Sequence, residues 1–218
     1  MAYACDIAYN SNVMGALTWA KADYHLVIDL EATTSEGGRV FPPHEMETIE
    51  IGAVLVRAST LEPEAEFQTF IRPIRHPVLL PFCVALTSIR QDMVDGAPLF
   101  PEAFSEMKRR MIANRDGLVV WGSWGNFDAL QFERDCLLHD IQYDMPTHLN
   151  LKEALSDVQG WRKRYGMGKA LTRCGLTPLG TPHRGIDDAR NIARMLPWIA
   201  GKRRTPWSTG KSMAGLRR

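Results

Sequence analysis

The stretch His25-Leu-Val-Ile-Asp-Leu-Glu-Ala-Thr-Thr34 decides how the rest of the chain is read. Leu26, Val27, Ile28 and Leu30 give it an apolar middle, the pattern of a strand covered on both faces in the centre of a sheet. Side chains alternate along a strand, so Asp29 and Glu31 project from the same face, two residues apart. Neighbouring carboxylates on a buried strand repel, and desolvating either costs on the order of several kcal/mol unless a cation compensates. A divalent metal ion compensates both at once. A strand that stopped near Leu30 would instead leave the two acids on a solvated rim, and this stretch alone does not separate the two readings.

Downstream, the breaker-rich loop Ser35 to Pro43 leads to two further strand patterns, Glu47 to Val56 and Glu66 to Ile74. Their short connections predict an antiparallel meander of the first three strands. A short helix is expected over Leu86 to Val94, capped by Thr87 or Ser88, and a longer one over Pro101 to Ala113 with Phe104, Met107 and Met111 on one stripe. Gly117 to Gly122 reads as a fourth, buried strand. From Phe127 a helix follows, with Phe127, Leu130, Arg134, Leu137, Leu138 and Ile141 marking a mostly apolar face. A short strand near His148 to Leu151, a helix over Lys152 to Val158, a small helix ending at Gly175 and a last helix from Ile186 to Ile199 complete the order. The sum is an α/β fold: a mixed five-stranded sheet, its first three strands antiparallel, flanked by helices. In such a sheet the carboxyl ends of adjacent strands meet at one crevice.

Length and composition set bounds. The 218 residues suffice for one domain with appendages, and 45% hydrophobic and 23% charged residues are ordinary for a soluble globular protein. No run reaches the roughly 18 apolar residues a membrane span needs, so no membrane partner is expected. The partly apolar segment Val13 to Ala20 lacks a basic leader, and Asp6 precedes it, unlike a signal peptide. Cys5, Cys83, Cys136 and Cys174 form no CxxC pair, which argues against a zinc site or disulfide scaffold and for a reducing, cytoplasmic setting. The net charge of +1 hides an asymmetry: residues 201–218 carry six basic side chains and no acid, leaving 20 basic against 25 acidic in residues 1–200. Three parts are expected: an N-terminal extension (1–20), a main domain (21–200) and a basic tail (201–218) that either follows a polyanion or only solubilises the terminus.

Three pieces carry chemistry: Asp29-x-Glu31, Asp128 where a strand runs into a helix, and His183-Arg-Gly-Ile-Asp-Asp188 leading into the last helix. Hard carboxylate oxygens suit Mg²⁺ or Mn²⁺ rather than zinc. Two such ions roughly 4 Å apart clamp the attacking and leaving oxygens of a phosphodiester. Histidine, with an ordinary pKa of about 6.5, is the natural base for a water nucleophile, and His183 lies one short loop from the last acid. Singly, Asp128, Asp187 and Asp188 also read as helix-start acids, and His183 as a loop histidine.

Together, DLEAT (Asp29 to Thr33), WGNFD (Trp124 to Asp128) and HRGIDDARN (His183 to Asn191) resemble the DEDDh (DnaQ-like) 3′-to-5′ exonuclease family, with its RNase H-like fold. The segment LTSIRQDMVDGAPLF (Leu86 to Phe100) also resembles that family's stretch between its first two motifs. DLEATTSEGG and SWGNFDALQFERDC look most like its Eri-type exoribonuclease branch, and the resemblance covers about residues 24–200. It implies that Asp29, Glu31, Asp128 and Asp188 ligate two metal ions, with His183 as general base. The family's spacing selects Asp188 over Asp187, which is left as a helix cap. Glu31 and the Ala32-Thr33 backbone are implied to hold the terminal 3′ hydroxyl. Trp124 is a candidate base-stacking surface, or else a core tryptophan; the Gly125-Asn126 pair sets it apart from Asp128, where some relatives have the two adjacent. His44 and Glu50 need no special role, and the basic segment Arg162 to Arg173 is either a phosphate contact or a solvated face. The expected function is a two-metal exonuclease releasing 5′-mononucleotides from nucleic-acid 3′ ends, RNA favoured. The alternatives are a DNA exonuclease and a non-catalytic nucleic-acid-binding module.

Overall fold

The computed structural model describes residues 18–206, so most of the expected N-terminal extension, with Cys5, and the tail from residue 207 lie outside the described residues. Five strands form one sheet in the order β3-β2-β1-β4-β5. They are β1 (Tyr24–Ala32), β2 (Thr48–Arg57), β3 (Pro63–Phe70), β4 (Val119–Ser123) and β5 (His148–Asn150). β1, β2 and β3 make the antiparallel meander, while β4 runs parallel to β1, and β5 parallel to β4. β1 is therefore central and continues through Glu31, which removes the rim reading of its two acids.

The α-helices that pack around the sheet after β3 are α1 (Pro81–Thr87), α2 (Gln91–Asp95), α3 (Phe100–Lys108), α4 (Phe127–Leu138), α5 (Leu151–Gln159), α6 (Met167–Arg173), α7 (Gly185–Arg194) and α8 (Leu196–Ile199). Strand alternation assigns them to the two sheet faces. Leu26, Ile28 and Leu30 of β1 share a core with Phe100, Phe104, Met107 and Met111 of the α3 region and with Phe132 and Cys136 of α4. Val27 points the other way, into a core with Leu155 of α5, Ala170 and Leu171 of α6, and Ala189 and Ile192 of α7. Asp29 and Glu31 share Val27's parity, so they face the α7 side.

Several expected elements shift for physical reasons. The helix expected over Leu86 to Val94 is two helices: Pro81 starts α1 at a position that needs no N–H, and Ser88, at φ 60°, breaks the chain before α2. Thr87 Oγ1 accepts from the Ile89 N–H at 3.1 Å, stabilising that break. β3 ends at Phe70, because the N–H groups of Ile74, Arg75 and His76 turn to the buried Glu47 carboxylate, at 2.7–3.0 Å. A π-helical segment, Arg109–Ala113, continues α3, and the last helix breaks at Met195, ahead of Pro197. In α4 the expected apolar face is not the buried one. Phe127, Leu130 and Leu137 are 41%, 47% and 84% exposed, whereas Asp128, Gln131, Phe132, Asp135 and Cys136 are buried.

The first residues of the basic segment after 200 are tied to the body. The Thr205 N–H donates to Gln159 Oε1 at 2.9 Å, Lys202 Nζ to the Ser59 carbonyl at 3.1 Å, and Arg204 to the Val158 carbonyl.

Candidate active site

Asp29 and Glu31 reach the carboxyl end of β1 and open into a cleft of about 380 Å³ also lined by Ala32, Thr34, Met46, Leu86, Trp124, Phe127, Asp128, Met167, His183 and Asp188. All four expected carboxylates and the histidine thus meet in one cleft. One ligand atom from each of Glu31, His183 and Asp188 lie within 4.8 Å of one another. Asp128, in the first turn of α4, approaches from the far side, where its Oδ1 accepts from the Leu30 N–H at 3.0 Å.

Two devices bring α7 to the cleft. β2 carries Gly52 opposite Asp29, and a Cβ there would fall on the Gly185 carbonyl carbon; a Cβ on Gly185 would stand 2.8 Å from the Asp29 carbonyl oxygen. Both positions therefore require glycine, and the start of α7 lies backbone-to-backbone on β1 and β2. The loop before α7 is held by its own helix. Asn191 accepts from the Leu179 N–H at 3.0 Å and donates to its carbonyl at 2.8 Å, Asp187 accepts from Thr181 N–H at 2.9 Å, and Asp188 Oδ2 accepts from His183 N–H at 3.1 Å. These bonds hold His183 at φ 58°, a left-handed conformation that needs local support in a non-glycine residue, and leave the residue itself exposed. Asp187 also pairs with Arg190 at 3.0 Å, outside the cleft.

The electrostatics are those of an acid cluster without enough positive charge. Burial, then Asp128, Glu31, Asp188 and Glu50, push Asp29 well above the usual carboxylate range. Burial, then Asp188, Glu50 and Asp128, raise Glu31 to about 8, against a smaller opposing effect from Arg184. Burial raises Asp128 to about 6 despite hydrogen bonds from Leu30 and Ser123, and it raises Asp188 despite His183. Arg184, the cation felt at Glu31, is itself bound to Glu50 at 3.1 Å. Clustered oxygen donors of this kind fit hard divalent cations, which would return the carboxylates to their charged form.

One substrate expectation changes. Thr33 does not line the cleft; it is buried, its N–H donates to the Glu47 carbonyl at 2.8 Å, and its Oγ1 accepts from the Glu47 N–H at 2.9 Å. Ala32 and Thr34 form that wall instead. Trp124 is half-buried against the core and lines the cleft, its indole N–H donating to the Tyr165 carbonyl at 3.2 Å. Sequence reasoning missed three supporting residues. Glu50 binds Arg184 and Gly185, and Asp135 and Gln131 of α4 hold Thr48 and Met46 at the edge of the cleft. The one available signal was polar residues at i, i+3 and i+7 (Asp128, Gln131, Asp135), which mark a single helix face.

Sheet order and the acid-lined end of β1 define an RNase H-like nuclease fold of the kind seen in DEDDh exonucleases. Residues 26–196 match the model of the RNase_T family, described as exonuclease, and the chain belongs to that family. Human 3′-5′ exoribonuclease 1 is 33% identical over 183 residues, covering 79% of this chain and 51% of that protein. Human ERI1 exoribonuclease 3 is 31% identical over 186 residues, covering 81% and 53%. The chain thus spans about half the length of these relatives. Among solved structures, the nuclease domain of 3′hExo, a DEDDh family member bound to rAMP, superposes with a TM-score of 0.73 at 31% identity, over 83% of this chain and 91% of that one. A 3′-exonuclease in a structure of 3′-end-specific recognition of the histone mRNA stem-loop gives 0.72 at 29%, over 84% and 81%. No described helix is long and apolar enough to cross a membrane.

Proposed function

We propose that this chain is a 3′-to-5′ exonuclease that hydrolyses the terminal phosphodiester of single-stranded RNA or an RNA 3′ overhang and releases a 5′-mononucleotide. The observation that carries this reading is the meeting of Asp29, Glu31, Asp128, Asp188 and His183 in one cleft. The four carboxylates would hold two Mg²⁺ or Mn²⁺ ions, which when bound supply positive charge where the phosphate gains negative charge. His183, exposed and beside Glu31 and Asp188, accepts the proton of the attacking water. The water oxygen bonds to phosphorus, the bond from phosphorus to the 3′ oxygen of the penultimate nucleotide breaks, and that oxygen takes a proton from solvent water as it leaves. Glu31 and the backbone at Ala32 hold the terminal 3′ hydroxyl, and Leu86, Trp124, Phe127 and Met167 wall the space for the terminal base.

RNA is favoured because the relatives above are named exoribonucleases. The catalytic domain is taken as residues 21–200, preceded by an extension at 1–20 and followed by the basic segment 201–218, whose charge would follow a polyanionic substrate. Free, buried Cys83, Cys136 and Cys174 support a reducing, cytoplasmic setting. The test is cleavage of end-labelled RNA and DNA oligonucleotides, with free or blocked 3′ ends, in Mg²⁺. The expected result is stepwise loss from free RNA 3′ ends, abolished by Asp29→Ala, Asp188→Asn or His183→Ala. Wild-type rates in Asp29→Ala would overturn the site; faster DNA cleavage would favour the DNA enzyme, and oligonucleotide binding without turnover the non-catalytic module.

A further inference from the structure

Glu50 stands apart from the proposed ligands, although the fold buries its charge completely, at 0% exposure. On β2 it lies directly opposite Glu31, on the same face of the sheet. Its two oxygens receive four donors. Arg184 Nε and Gly185 N–H bond Oε2 at 3.1 and 3.0 Å, and Arg184 Nη2 and Gln68 Nε2 bond Oε1 at 3.1 and 3.0 Å. That occupies the roughly four acceptor positions a carboxylate offers, so Glu50 is filled by protein donors rather than open to a metal ion. Two of the donors come from Arg184, which stacks over Phe70 with its guanidinium carbon 5.2 Å from the ring centre. Such a bidentate, charge-assisted pair fixes direction as well as distance.

Where the clamp grips is what gives it meaning. Arg184 is the N-cap of α7 and Gly185 its first residue, so the pair joins His183, in its left-handed conformation, to the turn that carries Asp188. At that point Gly185 lies against the backbones of Asp29 and Gly52. We propose that Glu50 is a positioning residue for the reaction: by clamping Arg184 and Gly185 it sets the height of α7 on β1, and so holds His183 and Asp188 within reach of Glu31. This rests on the exonuclease reading above. Glu50→Gln keeps the shape but loses the charge; Arg184, no longer neutralised, is then free to turn toward Glu31.

The experiment measures kcat and KM of the full chain on 3′-labelled single-stranded RNA in Mg²⁺ for wild type, Glu50→Gln and Arg184→Lys, with thermal melting as the control for folding. Misplacing a reacting group by about 1 Å costs roughly 100-fold. Glu50→Gln is accordingly expected to lower kcat roughly 10- to 100-fold, with KM within about twofold and cooperative melting kept. Arg184→Lys retains a charge but not the two-pronged grip, and is expected to lower kcat roughly 5- to 20-fold. A purely structural role would lower the folded fraction or raise KM without this selective loss in kcat. If Glu50→Gln does not fold, Arg184→Lys decides alone. An inert wild type overturns the exonuclease reading and this role with it. An active wild type, with folded variants whose kcat stays within twofold of it, overturns the clamp alone.

Discussion

Glu31 is the residue at which the acid cluster can be weighed. Its carboxyl is raised from 4.5 to about 8, chiefly by burial and then by Asp188 and Glu50. Without metal the folded chain therefore binds this proton more tightly than the unfolded chain does. The resulting stability is fully present below pH 4.5 and is lost as pH rises through 8. The metal-free protein is predicted to lose on the order of a few kcal/mol of stability between about pH 5 and 8. Mg²⁺ should restore stability most at the upper end of that range. By the same argument, Asp29→Asn removes a buried carboxylate that its neighbours oppose. In EDTA at pH 8 it should melt above wild type, while losing Mg²⁺-dependent nucleotide release. A melting temperature that is flat with pH, or lowered by Asp29→Asn, would count against the acid cluster. The residue types and their order made this cluster legible in the sequence. Thr33 was misread because what engages it, Glu47, lies 14 residues away on another segment.

Among the elements, α4 shows where periodicity misleads. Its stripe of Phe127, Leu130 and Leu137 has the spacing of a core face but lies toward solvent. The buried face is polar in part, and each polar residue on it has a partner far away in the chain. Asp128 meets Leu30, Gln131 meets Met46, and Asp135 meets Thr48 across 98, 85 and 87 residues. Burying polar groups is tolerable only with such partners, and a single sequence does not display them. The two faces give a direct comparison. Phe132→Ala, in the core with Phe100, Phe104 and Trp121, is predicted to cost about 3–5 kcal/mol in urea unfolding. Leu137→Lys should stay within about 0.5 kcal/mol of wild type. Equal costs would mean that α4 is rotated from this assignment. α1 teaches a related lesson: Pro81 was the start signal, and the threonine and serine expected to begin a helix end one instead.

For the whole molecule, five strands with the first three antiparallel followed from strand patterns and connection lengths, because apolar runs and short loops are local properties, whereas the order β3-β2-β1-β4-β5 came from the structure. The position of the site followed from the central strand, whose two acids had to face one side together. What holds α7 against that strand was not legible. Glu50 looked like an ordinary strand acid, and nothing local to Gly52 or Gly185 announces the close backbone approach that brings Asp188 and His183 to Glu31. The central claim is that distant residues converge to hold divalent cations. Anomalous diffraction from crystals grown with Mn²⁺ and a nucleoside 5′-monophosphate tests it most directly. The account predicts two manganese peaks in the cleft, bounded by Asp29, Glu31, Asp128 and Asp188, with the His183 ring beside them. Ordered carboxylates around a cleft that takes up no manganese, or peaks confined to other acids on the surface, would contradict it.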